Sequence, residues 1–325
     1  MNTARNLIIE LIKNNTIHEE QIPEALIVLH VIPNGSAWRK FIDHFLLWLG
    51  GLALAFAVLF FIAYNWTELG RFAKFGMVEA ALVLAIVTYC YFDKDKVIAK
   101  VALLMAAIFL GVLLALFGQT YQTGADPWQL FCNWAILMLP WAVIGRFAAI
   151  WIVWLSLVNV SLILFYQTFG GVFGILFSSE SELIWIVGIL NTFVLVVWET
   201  LTRMQQWSAE RWALRLVAIG GVFPITWLVL IAINNYSADG VISWLIWIVW
   251  LAGGYVIYRK KIADLFMLAI GCLSVMVVIV TFLSKHLLEV DAFDGFGALL
   301  LTVVIIGLGT GAAVWLKNVH REMVS

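Results

Sequence analysis

The sequence predicts an all-α fold: a polytopic membrane helix bundle of about ten transmembrane helices, with a small N-terminal helical headpiece. Three observations predict it. The chain is 64% hydrophobic and only 12% charged over 325 residues, whereas a soluble domain carries about 25% charged residues. Its mean hydropathy is +1.01, so lipid must be the solvent for most of it. Beyond residue 40 the chain falls into apolar runs of roughly 17–25 residues, each long enough to cross about 30 Å of hydrocarbon.

Residues 1–36 read as a cytoplasmic helical hairpin. "NLIIELIK" places its apolar residues on one helical face, and "NNT" interrupts it. "TIHE" matches a capping box, with Thr16 as N-cap and Glu19 reaching back. Pro23 lies too far inside for a first-turn proline, so the second helix is expected to kink or restart there. "IPNGS" supplies turn residues before the membrane begins. Such a hairpin is too small to hold a core alone, and it is a candidate surface for a protein partner. Glu10, Glu19, Glu20 and Glu24 interrupt any early apolar core, so no cleavable leader is expected and the amino terminus is expected to be retained.

Ten spans follow, at 42–64, 71–92, 97–117, 129–145, 147–169, 183–201, 213–233, 241–258, 263–285 and 296–316. They make residues 37–317 one ten-span domain and leave 318–325 as a short tail. Spans 4 and 5 are separated only by a tight turn at Arg146, and the later orientations depend on their being two crossings. Charge supports the count. With the N-terminus in the cytoplasm, only Arg71, Lys74 and Lys285 of the nineteen lysines and arginines fall outside, as the positive-inside rule requires. Both termini are then cytoplasmic. Five spans followed by five of opposite orientation also fit an inverted repeat, as in several secondary transporters, although no motif recurs between the halves.

This topology puts two polar motifs on the extracytoplasmic face. In "LFGQTYQTGADPWQLF" (116–131), Gly118 is expected to end span 3 as a left-handed cap. Asp126 and Pro127 are expected to start span 4 as N-cap and first helical residue. Tyr121 and Trp128 suit the interface. That leaves Gln119, Thr120, Gln122 and Thr123 without a role in a simple turn, and polar groups between apolar runs need water, a partner or a ligand. In "FFIAYNWTELGRFAKF" (60–75), Tyr64 and Trp66 suit the interface and Asn65 or Thr67 is expected to cap span 2. Arg71 and Lys74 stand one turn apart and are expected to point the same way. They suit a phosphate, a carboxylate or a sugar-like ligand, or lipid phosphates reached by snorkelling. Glu79 lies within span 2, where an ionisable group usually faces a bundle interior or wet cavity; it is the candidate proton-coupling or interior ionisable residue. Asn133, Asn159 and Asn191 are expected to form interhelical hydrogen bonds, and Gly307 with Gly311 reads as a helix-packing face.

Enzyme templates fit poorly. No HExxH, GxSxG or Gly-rich phosphate loop is present. The histidines are scattered, and Cys90, Cys132 and Cys272 are far apart in apolar runs, as expected of buried structural thiols. No catalytic residue, metal or cofactor is expected. The net charge of −1 and the lack of a basic patch argue against nucleic acid.

The chain resembles the bacterial integral membrane family labelled domain of unknown function 2157. The resemblance is carried by "TIHEEQ", by "WRKFIDHFLLWLGGLALAFAVLFFIAYNWTELGRFAKFGMVEAALVLA" (38–85) and by "LFGQTYQTGADPWQLFCNWAILMLPWA" (116–142). It implies a multi-span bacterial inner-membrane protein and supplies neither a function nor catalytic residues. The family's recurrent "AYNW" and "GQ-YQTGA" segments coincide with the two motifs that polarity singled out. They point to a shared extracytoplasmic site of Tyr64, Asn65, Trp66, Arg71, Lys74, Gln119, Tyr121, Gln122, Thr123 and Asp126, taking a small polar or anionic ligand or a lipid headgroup. The expected function is a transporter-like carrier. The alternatives are a non-enzymatic envelope scaffold, sensor or assembly factor and, behind it, an enzyme on a lipid-linked substrate at the outer leaflet. That enzyme would use Asp126 or Glu289, Asp291 and Asp294.

Overall fold

The computed structural model describes residues 11, 12, 14, 26, 28, 34–169, 179–204, 210–234, 240–288 and 294–324. The hairpin expected over 1–36, with its Thr16 capping box and Pro23, lies almost wholly outside them, as do Glu289 and Asp291. Among the described residues ten helices are long and apolar enough to cross a membrane, and there is no strand. They are α1 (Gly35–Tyr64), α2 (Arg71–Tyr91), α3 (Val97–Tyr121), α4 (Pro127–Gly145), α5 (Ala148–Phe169), α6 (Ser179–Arg203), α7 (Arg211–Asn234), α8 (Gly240–Val256), α9 (Leu265–Leu288) and α10 (Asp294–Val324). Each expected span corresponds to one helix.

The ends move where polar residues continue a helix that hydropathy alone would stop. α1 begins at Gly35 because the Asn34 side chain caps it, accepting from the Ala37 N–H at 2.9 Å. Its 30 residues make a rod about 45 Å long at 1.5 Å per residue, longer than the hydrocarbon core.

The chain forms two compact units, Met1–Thr123 and Gly124–Ser325. In the first, α3 is the central helix and packs against both α1 and α2. Its buried side includes Ala99, Ala102, Ala106 and Ala107, small residues that allow close helix approach in a membrane. Gly51 of α1 is the tightest such point: a Cβ there would lie 2.3 Å from Val101 Cγ1.

In the second unit α7 is central, packing on α6, α8 and α9 and, less extensively, on α5. Gly220 and Gly221 let it approach α6, since a Cβ on them would lie 3.0 Å from Asn191 Oδ1 and 3.1 Å from Thr192 Oγ1. α4 and α5 form an antiparallel hairpin turning at Arg146, which takes a left-handed conformation at φ 49°. Trp154 Nε1–H donates to the Ala135 carbonyl at 3.0 Å, and Ser161 Oγ donates to the Trp128 carbonyl at 3.1 Å. Spans 4 and 5 are therefore two full helices.

Candidate ligand-binding site

The candidate site is built where α1 ends and α2 begins. Asn65 ends α1: its backbone N–H and its Nδ2 both donate to the Phe61 carbonyl, at 3.1 and 2.8 Å. This corrects the expectation that Asn65 or Thr67 caps span 2, because the N-cap position of α2 is Gly70, with no side-chain cap. A terminal carbonyl of α1 needs a partner, and Asn65 reaches it with the shorter path.

The turn then brings Trp66 back over α2, where the Lys74 ammonium lies 3.6 Å from the Trp66 ring centroid. Lys74 is only 7% exposed and lies on the buried stripe of α2 with Val78 and Ala85. Among the described residues its ammonium has no hydrogen bond and no acidic partner. Arg71 is exposed. The expected common orientation of Arg71 and Lys74 therefore fails: one face of α2 is packed and the next is open, and the two residues fall on either side of that edge.

The second motif comes to the same end of this unit. The Phe75 and Tyr121 rings have centroids 6.1 Å apart, and Tyr121 meets Phe117 at 4.8 Å. Gly118 does not end α3. The helix runs to Tyr121, and Gln122 takes the left-handed position at φ 45°, with the Thr123 N–H reaching the Gly118 carbonyl at 3.4 Å. That six-to-one closure is the Schellman arrangement, and it gives Gln122 a structural role. The Thr120 hydroxyl is enclosed and has no hydrogen-bond partner among the described residues.

Of the proposed site residues, Trp66, Lys74 and Tyr121 thus gather near the α1–α2 turn and the end of α3. Gln119, Gln122 and Thr123 are exposed, and Tyr64, 90% exposed, stands clear. Asp126 belongs to the second unit. It sits at the N-cap position of α4 before Pro127, as expected, but its side chain makes no capping bond. Glu79 is exposed, so the expected interior placement is corrected. On α2 the inward stripe falls to Lys74, Val78 and Ala85, and Glu79 is one step round the helix from it.

In the second unit, Asn191 Nδ2 donates to Asn159 Oδ1 at 2.8 Å and Asn159 Nδ2 to Asn191 Oδ1 at 3.4 Å. Those two asparagines do form the expected interhelical bond. The Thr226 hydroxyl donates to the Val222 carbonyl at 2.7 Å, so Ser274, 2.7 Å away, must donate to Thr226 while accepting from Trp247 Nε1 at 2.9 Å. Sequence reasoning missed Glu182, fully buried, whose Oε1 accepts from the Tyr166 hydroxyl at 2.5 Å. Its signal in the sequence is the acid-rich "SESE" (179–182) directly before the apolar run of span 6.

Three arginines of this unit are held in ion pairs. Arg211 pairs with Glu199 at 3.0 Å, Arg215 with Asp264 at 3.2 Å, and Arg259 with Glu322. These pairs join the end of α6 to the start of α7, α7 to the α8–α9 turn, and the π-helical turn Ile257–Lys261 after α8 to α10. At the opposite end Lys285 caps α7, donating to the Ile233 and Asn234 carbonyls at 2.6 and 3.3 Å.

A family model described as "Predicted membrane protein (DUF2157)" matches residues 10–151. The matched segment contains both polar motifs and the Trp66–Lys74 contact. No curated protein and no solved structure matches the chain.

Proposed function

We propose that this chain, which matches the model of the DUF2157 family of predicted membrane proteins over residues 10–151, is a carrier-like protein of a bacterial inner membrane. On this reading it recognises a small anionic group at the extracytoplasmic end of α1–α3. The observation that carries it is Lys74. Its ammonium is buried against Trp66 with no acidic partner among the described residues. A buried charge is normally paired, and a cation–π contact contributes only about 0.5–2 kcal/mol, so an anion is the natural complement. Tyr121 and the enclosed Thr120 hydroxyl supply further polar groups at the end of α3. Orientation follows from the positive-inside rule, supported by the gathering of arginine and lysine at one end of the second unit.

The test is ligand-dependent stability of the purified full-length protein. Inorganic phosphate and short dicarboxylates should raise its thermal midpoint, and Lys74→Met should remove that rise while leaving the unliganded protein folded. An identical response of wild type and Lys74→Met to every anion would refute the site. A site that binds but gives no anion flux in proteoliposomes would refute the carrier.

The scaffold reading draws on a different observation. Glu79 lies on an exposed face of α2 next to Ala80 and one turn from Gly76, and a carboxylate facing hydrocarbon is costly. A partner helix over this face would relieve that cost. Glu79→Leu should then lower the mass of the complex extracted in mild detergent; an unchanged mass would remove the reading.

A further inference from the structure

The second unit contains a cavity of about 850 Å³ between α6, α8, α9 and α10, within the range of about 300–1,000 Å³ typical of small-molecule sites. Five glycines contribute to its wall: Gly253, Gly254, Gly271, Gly307 and Gly311. Gly307 and Gly311 stand one turn apart on α10, a spacing that usually brings helices into close contact. Here they do not pack: both are exposed, and a Cβ on either would meet no atom within 4 Å. A Cβ on Gly253 or Gly254 of α8 would likewise meet no atom within 4 Å. Glycine within a helix is less favourable than alanine, and neighbouring helices do not require these four. What they provide is empty apolar volume.

The charged groups of this cavity lie at the basic end of the unit. Arg203 ends α6, and Lys261 ends the π-helical turn Ile257–Lys261 that continues α8. Neither makes an ion pair among the described residues. Glu199 also lines the cavity, but Arg211 already holds it, so the mouth is left with a surplus of two positive charges. Tyr258 lines the same space. It is 7% exposed, and its hydroxyl has no hydrogen-bond partner among the described residues.

We infer that this cavity is the binding site of an anionic phospholipid. One acyl chain lies in the glycine-walled slot, and the phosphate is held between Arg203 and Lys261, with the Tyr258 hydroxyl donating to the headgroup. The lipid enters from the leaflet at the basic end. Two features select it together: the apolar slot excludes hydrated anions, and the paired cations favour anionic over zwitterionic headgroups. The site is independent of the Lys74 reading, since it shares no residue with it.

Native mass spectrometry of the full-length protein, reconstituted in equal phosphatidylglycerol and phosphatidylcholine and then extracted in mild detergent, tests this. One phosphatidylglycerol should stay on each chain, several-fold in excess of phosphatidylcholine. R203Q/K261Q should reduce that preference at least fivefold without unfolding the protein, because both side chains are exposed. G307L/G311L should lose both lipids by filling the slot. Equal retention of the two lipids by wild type would overturn the proposal. So would an unchanged preference in R203Q/K261Q, or full lipid retention by a folded G307L/G311L. A wild-type spectrum dominated by lipid-free dimers would assign the slot to a second copy instead.

Discussion

The Lys74 ammonium rests 3.6 Å from the centre of the Trp66 ring, so the turn between α1 and α2 is fastened to the buried stripe of α2 by one cation and one ring. Trp66→Leu should expose the cation to an apolar surface and lower stability by about 1–2 kcal/mol, the range for a desolvated cation–π contact. Lys74→Met in the Trp66→Leu background should cost less than Lys74→Met alone. Thermal unfolding of the four proteins in one detergent measures that coupling, and additive losses would show the contact to be energetically idle.

Gly51 is the close approach of α1 and α3. Gly51→Ala puts a methyl 2.3 Å from Val101 Cγ1, so one helix must shift, at a cost of about 1–3 kcal/mol for overpacking. Val101→Ala should restore most of the loss. A Gly51→Ala protein with an unchanged thermal midpoint would mean that α1 and α3 do not approach this closely.

The Asn159–Asn191 pair predicts a cycle of the opposite kind. Asn159→Leu or Asn191→Leu alone should destabilise by about 0.6–2 kcal/mol, the usual worth of an interhelical hydrogen bond in a membrane. The double leucine variant should lose less than the sum, because neither amide is left without its partner.

Arg215 and Asp264 join the start of α7 to the turn before α9, with the acid 3% and the guanidinium 40% exposed. Arg215→Met should destabilise by about 1–3 kcal/mol. That is less than for a fully buried pair, because water reaches the guanidinium. Arg215→Met/Asp264→Leu should recover part of this. Equal thermal midpoints for single and double variants would show that Asp264 is satisfied without Arg215.

Topology gives a direct labelling test. In a background with Cys90, Cys132 and Cys272 replaced by serine, Gln122→Cys should react with a membrane-impermeant maleimide in intact cells, and Lys261→Cys only after permeabilisation. The reverse pattern would invert the proposed orientation.

The residues by themselves determined the number of the helices and the rough place of each, because hydrocarbon demands about twenty apolar residues per crossing whatever the neighbours are. They also determined the α4–α5 turn at Arg146, the start of α4 at Pro127, the hydrogen bonding of Asn159 with Asn191 and the basic character shared by several helix ends. Only the tertiary structure decided which face of each helix is packed. Hydrophobic patterning, the usual guide to the inward face, is weak in a membrane because lipid-facing and core-facing residues are alike apolar. For that reason Glu79 came out on the open face, Lys74 and Arg71 parted company, and Gly307 and Gly311 lined a cavity instead of a helix contact. Which left-handed residue closes α3 was likewise undecidable from residue type: Gly118 has the better intrinsic preference, but the six-to-one hydrogen bond from Thr123 fixes the stop at Gln122.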